Sequence, residues 1–372
     1  MKILYVLNSA SPGGMEQHVL DLVKSMRGFG HEVFVWCPQG QLTEQFVSAG
    51  AIVTIEKVSF DVDPVYIFKL YKFLRKNKVD TIHSHELKAV VNATLAGFFA
   101  GTPVRISHTH TPISEWVLPA WKKKLEFVKL FGYSTLINIF GTVEVALTES
   151  RKRVKQQEGI LQSKLVVIPN AIDPTNFKGV TKKSDVNAFV FGCVGRLTEE
   201  KNQELLIDAF AKLKNFAQIP FDSLRLNLVG GGLLESKLKA RVAEYGLEDK
   251  VKITGVFAES EKVKYYSLFD AFVFPSKAEG FGIVLLEAMA AGIPCLCSNL
   301  EVLQEVGGST CFYFDPFSSD DLAQKMLDLY LRRVNLEALT AAAFERVTQL
   351  YAIEKFADTY QALYTSLLEA HK

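Results

Sequence analysis

Short apolar runs alternate with amphipathic helical stretches along this chain, and the whole alternation occurs twice. In the first half, strand-like runs fall at 3–7, 32–37, 52–58, 79–83, 104–108, 143–147 and 165–168, with helical periodicity over 15–26, 66–76 and 87–99. Continuous apolar runs of this length suit strands buried on both faces. Strands taken in turn with helices predict a parallel sheet covered on both sides, with ligand sites at the carboxyl ends of the strands. The pattern restarts with strands at 189–194, 224–229, 251–254, 271–274 and 294–297, and helices at 203–214, 234–245 and 259–268. Residues 171–188, with Pro174, Gly179 and the run Thr181-Lys182-Lys183-Ser184, read as a linker. From about 318 onward the strand pattern stops, and Ser318-Ser319-Asp320-Asp321 opens a helical tail as a cap. The expected fold class is therefore α/β: two doubly wound, Rossmann-like domains at 1–170 and 189–350. The tail ends in a C-terminal helix, 351–372, that crosses back to the N-terminal domain.

A chain of 372 residues exceeds what one hydrophobic core usually serves, in agreement with two domains. At 48% hydrophobic and 22% charged residues the composition excludes a disordered chain. No apolar run reaches the roughly 18–20 residues of a spanning helix. Met1-Lys2 leads straight into the first strand, so no signal peptide is expected. The cysteines at 37, 193, 295, 297 and 311 lie mostly in strand patterns, which predicts reduced thiols and a cytoplasmic protein. The formal charge of +1 conceals +6 over residues 1–170 and −5 over the remainder, as suits domains facing different partners. No nucleic-acid partner is expected.

Four stretches carry candidate chemistry. Pro275 to Gly292 follows the apolar run 271–274 and holds Glu279, Gly280, Phe281, Gly282 and Glu287. Strand, glycine loop and helix in that order turn free backbone N–H groups toward a ligand, which favours phosphate. Gly13 and Gly14 form a weaker loop of the same kind, without the dinucleotide fingerprint. Gly195-Arg196 follows a strand, and Lys201 opens the next helix. Cations are unfavourable at a helix N-terminus, so their presence argues for an anionic ligand. His83, His85, His108 and His110 end two successive strands. Histidine there can move a proton or hold a sugar hydroxyl. At most one of His108 and His110 is expected to face a cleft. No carboxylate or cysteine spacing accompanies them, so no metal site is expected. Asp61-Val62-Asp63 lies ahead of Pro64 and a helix, and reads as a capping turn instead of a metal pair.

Taken together, Gly13-Gly14, Pro169-Asn170-Ala171-Ile172-Asp173, Gly195-Arg196 with Lys201, and Glu279-Gly280-Phe281-Gly282 with Glu287 resemble the retaining glycosyltransferases of family 4. Glu279 and Glu287, with seven residues between them, match that family's paired-glutamate motif. Ala171 stands where many members carry glycine. The resemblance implies the GT-B architecture, two Rossmann-like domains facing across a cleft. It further implies that Arg196 and Lys201 neutralise the donor pyrophosphate, that Glu279 holds the donor sugar, and that Glu287 holds the ribose. The backbone from Gly280 through Phe281, Gly282 and Ile283 to Val284 would bind sugar and phosphate, with Gly13 and Gly14 closing from the acceptor side. His110 is the implied active-site histidine, His108 the alternative.

The implied reaction is metal-independent, cofactor-free glycosyl transfer with retention, from a UDP- or GDP-sugar to a saccharide or lipid-linked saccharide. Surface polysaccharide or glycoconjugate biosynthesis is the implied setting. A nucleotide-sugar epimerase and a non-catalytic nucleotide-sugar binder are the alternatives on this architecture. Residues 115–131 combine Trp116, Trp121, Lys122, Lys123 and Lys124 with apolar side chains. That mixture suits an anionic bilayer interface and predicts peripheral contact at the inner membrane face. An ordinary helix with a solvated lysine face is the plain alternative.

Overall fold

The computed structural model describes residues 1–115, 123–177, 188–332 and 335–371. The chain divides into two units, one of residues 1–171 with 353–372, the other of residues 172–352. In the first, β1 (Lys2–Val6), β2 (Glu32–Cys37), β3 (Ile52–Ile55), β4 (Thr81–His85), β5 (Val104–His108), β6 (Val143–Ala146) and β7 (Leu165–Val167) form one sheet in the order β3-β2-β1-β4-β5-β6-β7. Every pairing is parallel. The alternation of side chains sorts the core into two layers. Ile3, Tyr5, Val33 and Val35 pack with the helices Gly14–Gly28 and Ile353–Glu369. Leu4, Val6, Phe34 and Trp36 pack on the other face with Pro64–Asn77 and Leu87–Ala100. Asp63 caps the first of these by accepting from Tyr66 N, and Pro64 occupies the first turn, so this carboxylate is a cap.

The second unit repeats the plan. Its strands are β8 (Phe189–Val194), β9 (Leu224–Val229), β10 (Val251–Ile253), β11 (Ala271–Phe274), β12 (Cys295–Ser298) and β13 (Phe312–Phe314). They are parallel in the order β10-β9-β8-β11-β12-β13. Both sheets thus show the dinucleotide-fold order, in which the first and fourth strands of the unit are neighbours at a topological switch point. β13 has no counterpart among the strands expected from the sequence.

The tail is helical, and Ser318 caps Ser319–Tyr330 by accepting from Asp321 N. Its last helix, Ile353–Glu369, belongs to the first unit. Tyr360 and Tyr364 are completely buried there, and the Tyr364 hydroxyl meets His83 Nδ1 at 2.7 Å and the Tyr5 hydroxyl at 3.2 Å.

The expected linker 171–188 is shorter than its composition suggests. Ala171 packs in the core of the first unit. Ile172 donates to Tyr351 O, and the turn Pro174–Phe177 buries Phe177 beside Tyr266 in the second. Proline and charge signalled a loop, but Ala171, Ile172 and Phe177 within it are anchored. All five cysteines are free and buried. Among the described residues, no helix is long and apolar enough to cross a membrane.

Candidate active site

In the second unit the switch point brings the ends of β8 and β11 together. β11 pairs directly with β8, so Gly195-Arg196 and the loop after Phe274 become neighbours although some eighty residues separate them. Gly195 can lie close against the neighbouring loop because Gly230 has no side chain. A Cβ on Gly230 would stand 2.0 Å from Gly195 O, and φ is +142° there. Arg196 is exposed at this strand end.

Lys201 lies in the 3-10 turn Glu199–Lys201, ahead of the helix Gln203–Lys212 and not in its first turn. Its Nζ stands 2.5 Å from Glu279 Oε1, which also accepts from the Ser276 hydroxyl at 2.7 Å. Lys277 N donates to Glu200 O, which ties the two loops together. The pair is a preformed charge couple at the edge of solvent, with Lys201 19% and Glu279 8% exposed.

Gly282 precedes the helix Ile283–Ala290 in a left-handed conformation, φ +97°. A Cβ there would press on Leu303 and Phe274 at 3.0 Å, so a side chain is excluded by both backbone and packing. Gly280, Ile283 and Val284 remain partly exposed, and the first turn of the helix carries unbonded amides by its nature. The Phe281 side chain is buried against Tyr351, so only its backbone is available to a ligand. Glu287 is buried and bound on both oxygens, to Lys262 at 2.9 Å and the Tyr266 hydroxyl at 2.7 Å. Burial raises its carboxyl above the ordinary value, and Lys262 partly offsets this.

In the first unit the candidate residues again gather at the carboxyl ends of the central strands. Gly13 and Gly14 are exposed where the helix Gly14–Gly28 begins after β1. His108 and His110 share one side of the chain, their rings stacked with centroids 4.0 Å apart. The expectation that at most one would point into a site fails, because residues two apart in an extended chain face the same way. His108 is fully buried, whereas His110 is only partly so. His85 Nδ1 stands 3.2 Å from His110 Nε2.

His18, which the sequence reading passed over, joins this group from the helix and bonds Asn170 Oδ1 at 2.7 Å. Its place among apolar neighbours at helical spacing made it look like ordinary core. Burial lowers the His18 ring to about 4 and holds His85, His108 and His110 well below the usual range, so all four rings are neutral.

Behind the stack, Thr109 is fixed by a buried ion pair of Lys155 and Glu144, and Glu144 also accepts from the Thr109 and Tyr133 hydroxyls. Glu86, next after His85, has φ +71°, a conformation costly for any residue but glycine. Its N–H reaches His108 O. Neither Lys155 nor Glu86 carried a motif. The Asn170-Ala171 turn takes no left-handed conformation at Ala171, so alanine fits there without strain. Residues 116–122, the centre of the Trp-Lys stretch, lie outside the described residues.

Two Rossmann-like domains of this strand order, one after the other in the chain, are the GT-B class of fold. The family model "Glycosyltransferase Family 4" matches residues 12–176, and "Glycosyl transferases group 1" matches residues 176–346. The chain belongs to the family 4 glycosyltransferases. Its similarity to mannosylfructose-phosphate synthase of Agrobacterium fabrum is 25% identity, covering 86% of this chain and 79% of that protein. With phosphatidyl-myo-inositol mannosyltransferase of Mycobacterium leprae it shares 27% identity, over 90% of this chain and 88% of the other. Among solved structures, Anabaena HepE (Alr3699) in complex with UDP-glucose superposes with a TM-score of 0.82 at 23% identity, covering 98% of this chain and 100% of that one.

Proposed function

We propose that this glycosyltransferase moves a hexosyl group from a UDP- or GDP-sugar to a saccharide or lipid-linked saccharide, retaining the anomeric configuration and using no metal. The observation that carries the reading is the Lys201–Glu279 couple beside the exposed Arg196. In the free protein each charge satisfies the other. A bound nucleotide sugar offers a better match to both: pyrophosphate for Lys201 and Arg196, sugar hydroxyls for Glu279. As the bond from the anomeric carbon to phosphate oxygen breaks, negative charge grows on the departing diphosphate. Arg196 and Lys201 stabilise that charge as it forms. The acceptor oxygen bonds to the anomeric carbon from the side of departure, and its proton passes to the leaving phosphate. The amides of Ile283 and Val284 support the diphosphate. Glu287, held by Lys262 and Tyr266, orients the ribose. On the first unit, His110, more exposed than His108, is the histidine that meets the acceptor.

Names of relatives bear on the acceptor: one makes mannosylfructose phosphate, and another mannosylates phosphatidyl-myo-inositol. A membrane-borne acceptor also suits an apolar surface on the first unit. Phe60, Val65 and Phe68 are exposed at and near the start of Pro64–Asn77, and Val128 and Phe131 are exposed on Lys123–Phe140. The Lys129–Asp61 contact at 3.1 Å joins these segments into one patch, and Lys69 and Lys72 flank it. Aromatic and aliphatic side chains among lysines fit an anionic bilayer at the cytoplasmic face.

Proton NMR of the product made from a UDP- or GDP-sugar panel tests the chemistry. Retention at the anomeric carbon, undiminished by a chelator, is expected. An inverted linkage overturns the mechanism, and conversion of donor alone to its epimer overturns the reaction.

A further inference from the structure

Four histidines from three elements converge in the first unit. His18 comes from the helix Gly14–Gly28, His85 from the end of β4, His108 from the end of β5, and His110 from just beyond it. One ring nitrogen of each lies within 4.8 Å of those of all the others. Tetrahedral coordination with metal–nitrogen bonds of about 2.0–2.1 Å places its nitrogens about 3.4 Å apart. His85 Nδ1 and His110 Nε2 already stand 3.2 Å apart, so modest ring rotations bring the remainder into range.

Hydrogen bonding favours the same arrangement. His18 Nδ1, donating to Asn170 Oδ1, leaves Nε2 without a proton and with only a long 3.5 Å contact from the Tyr360 hydroxyl, the outer-shell pattern that ligating histidines use. His108 is fully buried with neither ring nitrogen partnered, and His85 Nε2 is also unpartnered. Buried polar atoms without partners are costly, and a cation at the centre of the group would take one nitrogen from each ring, giving His108 a partner that it otherwise lacks.

We propose that His18, His85, His108 and His110 bind a divalent transition metal of the zinc class, and that the bound metal inhibits glycosyl transfer by withdrawing His110. All-imidazole ligation selects zinc, copper or nickel over magnesium and calcium, which take oxygen. The partly exposed His110 gives the ion its way in. The inhibitory half rests on His110 serving the acceptor; the binding half does not.

The full chain, stripped with a chelator, is titrated with cobalt(II) and then zinc. One equivalent per chain is expected, with the visible bands of a tetrahedral nitrogen-ligated cobalt and no sulfur charge-transfer band. The second criterion separates this site from the buried cysteines. Asn170→Ala should weaken binding about 10–100-fold, as loss of an outer-shell partner does, and His108→Ala by more. X-ray absorption on zinc-loaded wild type reads the ligands with no variant that needs to fold. Zinc should abolish transfer and a chelator restore it. Sulfur ligation, no binding at stoichiometric metal, or affinity unchanged in both variants overturns the site. Full transfer by zinc-loaded protein overturns the inhibition alone. Failure of the metal-free protein to transfer from any donor overturns the catalytic reading and the inhibition with it, while the cobalt spectrum still decides the site.

Discussion

Replacing Lys155 by methionine removes one half of the buried ion pair behind the histidine stack. Lys155 and Glu144 are 1% and 0% exposed, and their contact reaches Thr109 between His108 and His110. Taking away the ammonium leaves a carboxylate in the interior with uncharged donors, among them Thr109, Tyr133 and Ser107. Breaking a buried pair in this way costs about 3–5 kcal/mol, most of it from the stranded charge. For a domain of this size, about 2–4 °C per kcal/mol converts that to a fall of about 6–20 °C in the melting temperature of the first unit.

The double variant Lys155→Met, Glu144→Leu removes the stranded charge and should recover at least about half of the loss, the Thr109 and Tyr133 hydroxyls limiting the rest. The pH dependence has a definite sign. Burial pushes the Glu144 carboxyl up, but Lys155 and the hydroxyl bonds outweigh it and hold the group below its ordinary 4.5. A depressed carboxyl contributes stability above its unfolded value and loses it as pH falls through the folded one. Without Lys155, burial pushes the Glu144 carboxyl above its ordinary value, so the gap between wild type and Lys155→Met should be widest at neutral pH and above and shrink as pH falls toward 4.5 and below it. In the transfer assay, a shift of the 108–110 segment near 1 Å lowers kcat/KM by about tenfold to 100-fold. Chemical denaturation of all three proteins from pH 3 to 8 is the measurement. A single variant that loses under about 1 kcal/mol, or a double variant no more stable than the single, would refute the stranded-charge account.

On the donor side, Arg196→Ala and Lys201→Ala should each lower kcat by about 100-fold or more. Turnover near wild type in both removes them from the chemistry. Glu287→Gln should raise the donor KM about 5–30-fold, the worth of one or two hydrogen bonds, with kcat little changed; a fall in kcat alone contradicts a ribose role. Tyr364→Phe strips partners from His83 Nδ1 and the Tyr5 hydroxyl and should cost about 1–3 kcal/mol by denaturant midpoint. No change there means that the C-terminal helix is held by apolar contacts alone. Phe68→Ser with Phe131→Ser should abolish sedimentation with anionic vesicles while sparing transfer to a water-soluble acceptor. Undiminished vesicle binding rules out the patch.

Twelve of the thirteen strands were legible because each is a short run rich in apolar and β-branched residues, and the paired glutamates with Arg196 and Lys201 were legible because charge beside a glycine loop is locally conspicuous. Strand order was not, since nothing near Gly195 or Phe274 announces that β8 and β11 are neighbours. The convergence of His18 with His85, His108 and His110 depends on the same unseen adjacency of β1, β4 and β5. The helix Glu149–Gln157 went unread because its apolar stripe is thin, and with it Lys155. The stacking of His108 on His110 was available from the two-residue period of an extended chain and was misjudged.

The charge balance of the two halves proves a poor guide to their sites. The first half is the positive one, yet the switch point of its sheet is lined by neutral histidines and tyrosines. Its lysines and arginines, such as Lys69, Lys72, Arg75 and Lys129, lie on outer helices beside the exposed phenylalanines. The second half is net negative, yet its switch point presents Arg196 and Lys201. One topology, used twice, therefore carries two chemistries. Fixed cations suit a diphosphate that must be stabilised as it departs. Neutral hydrogen-bonding rings suit an uncharged hydroxyl, which a cluster of charges would bind less selectively than water. On the proposed membrane reading, the excess positive charge of the first half would act outside its site, as a long-range attraction toward an anionic surface that carries the acceptor.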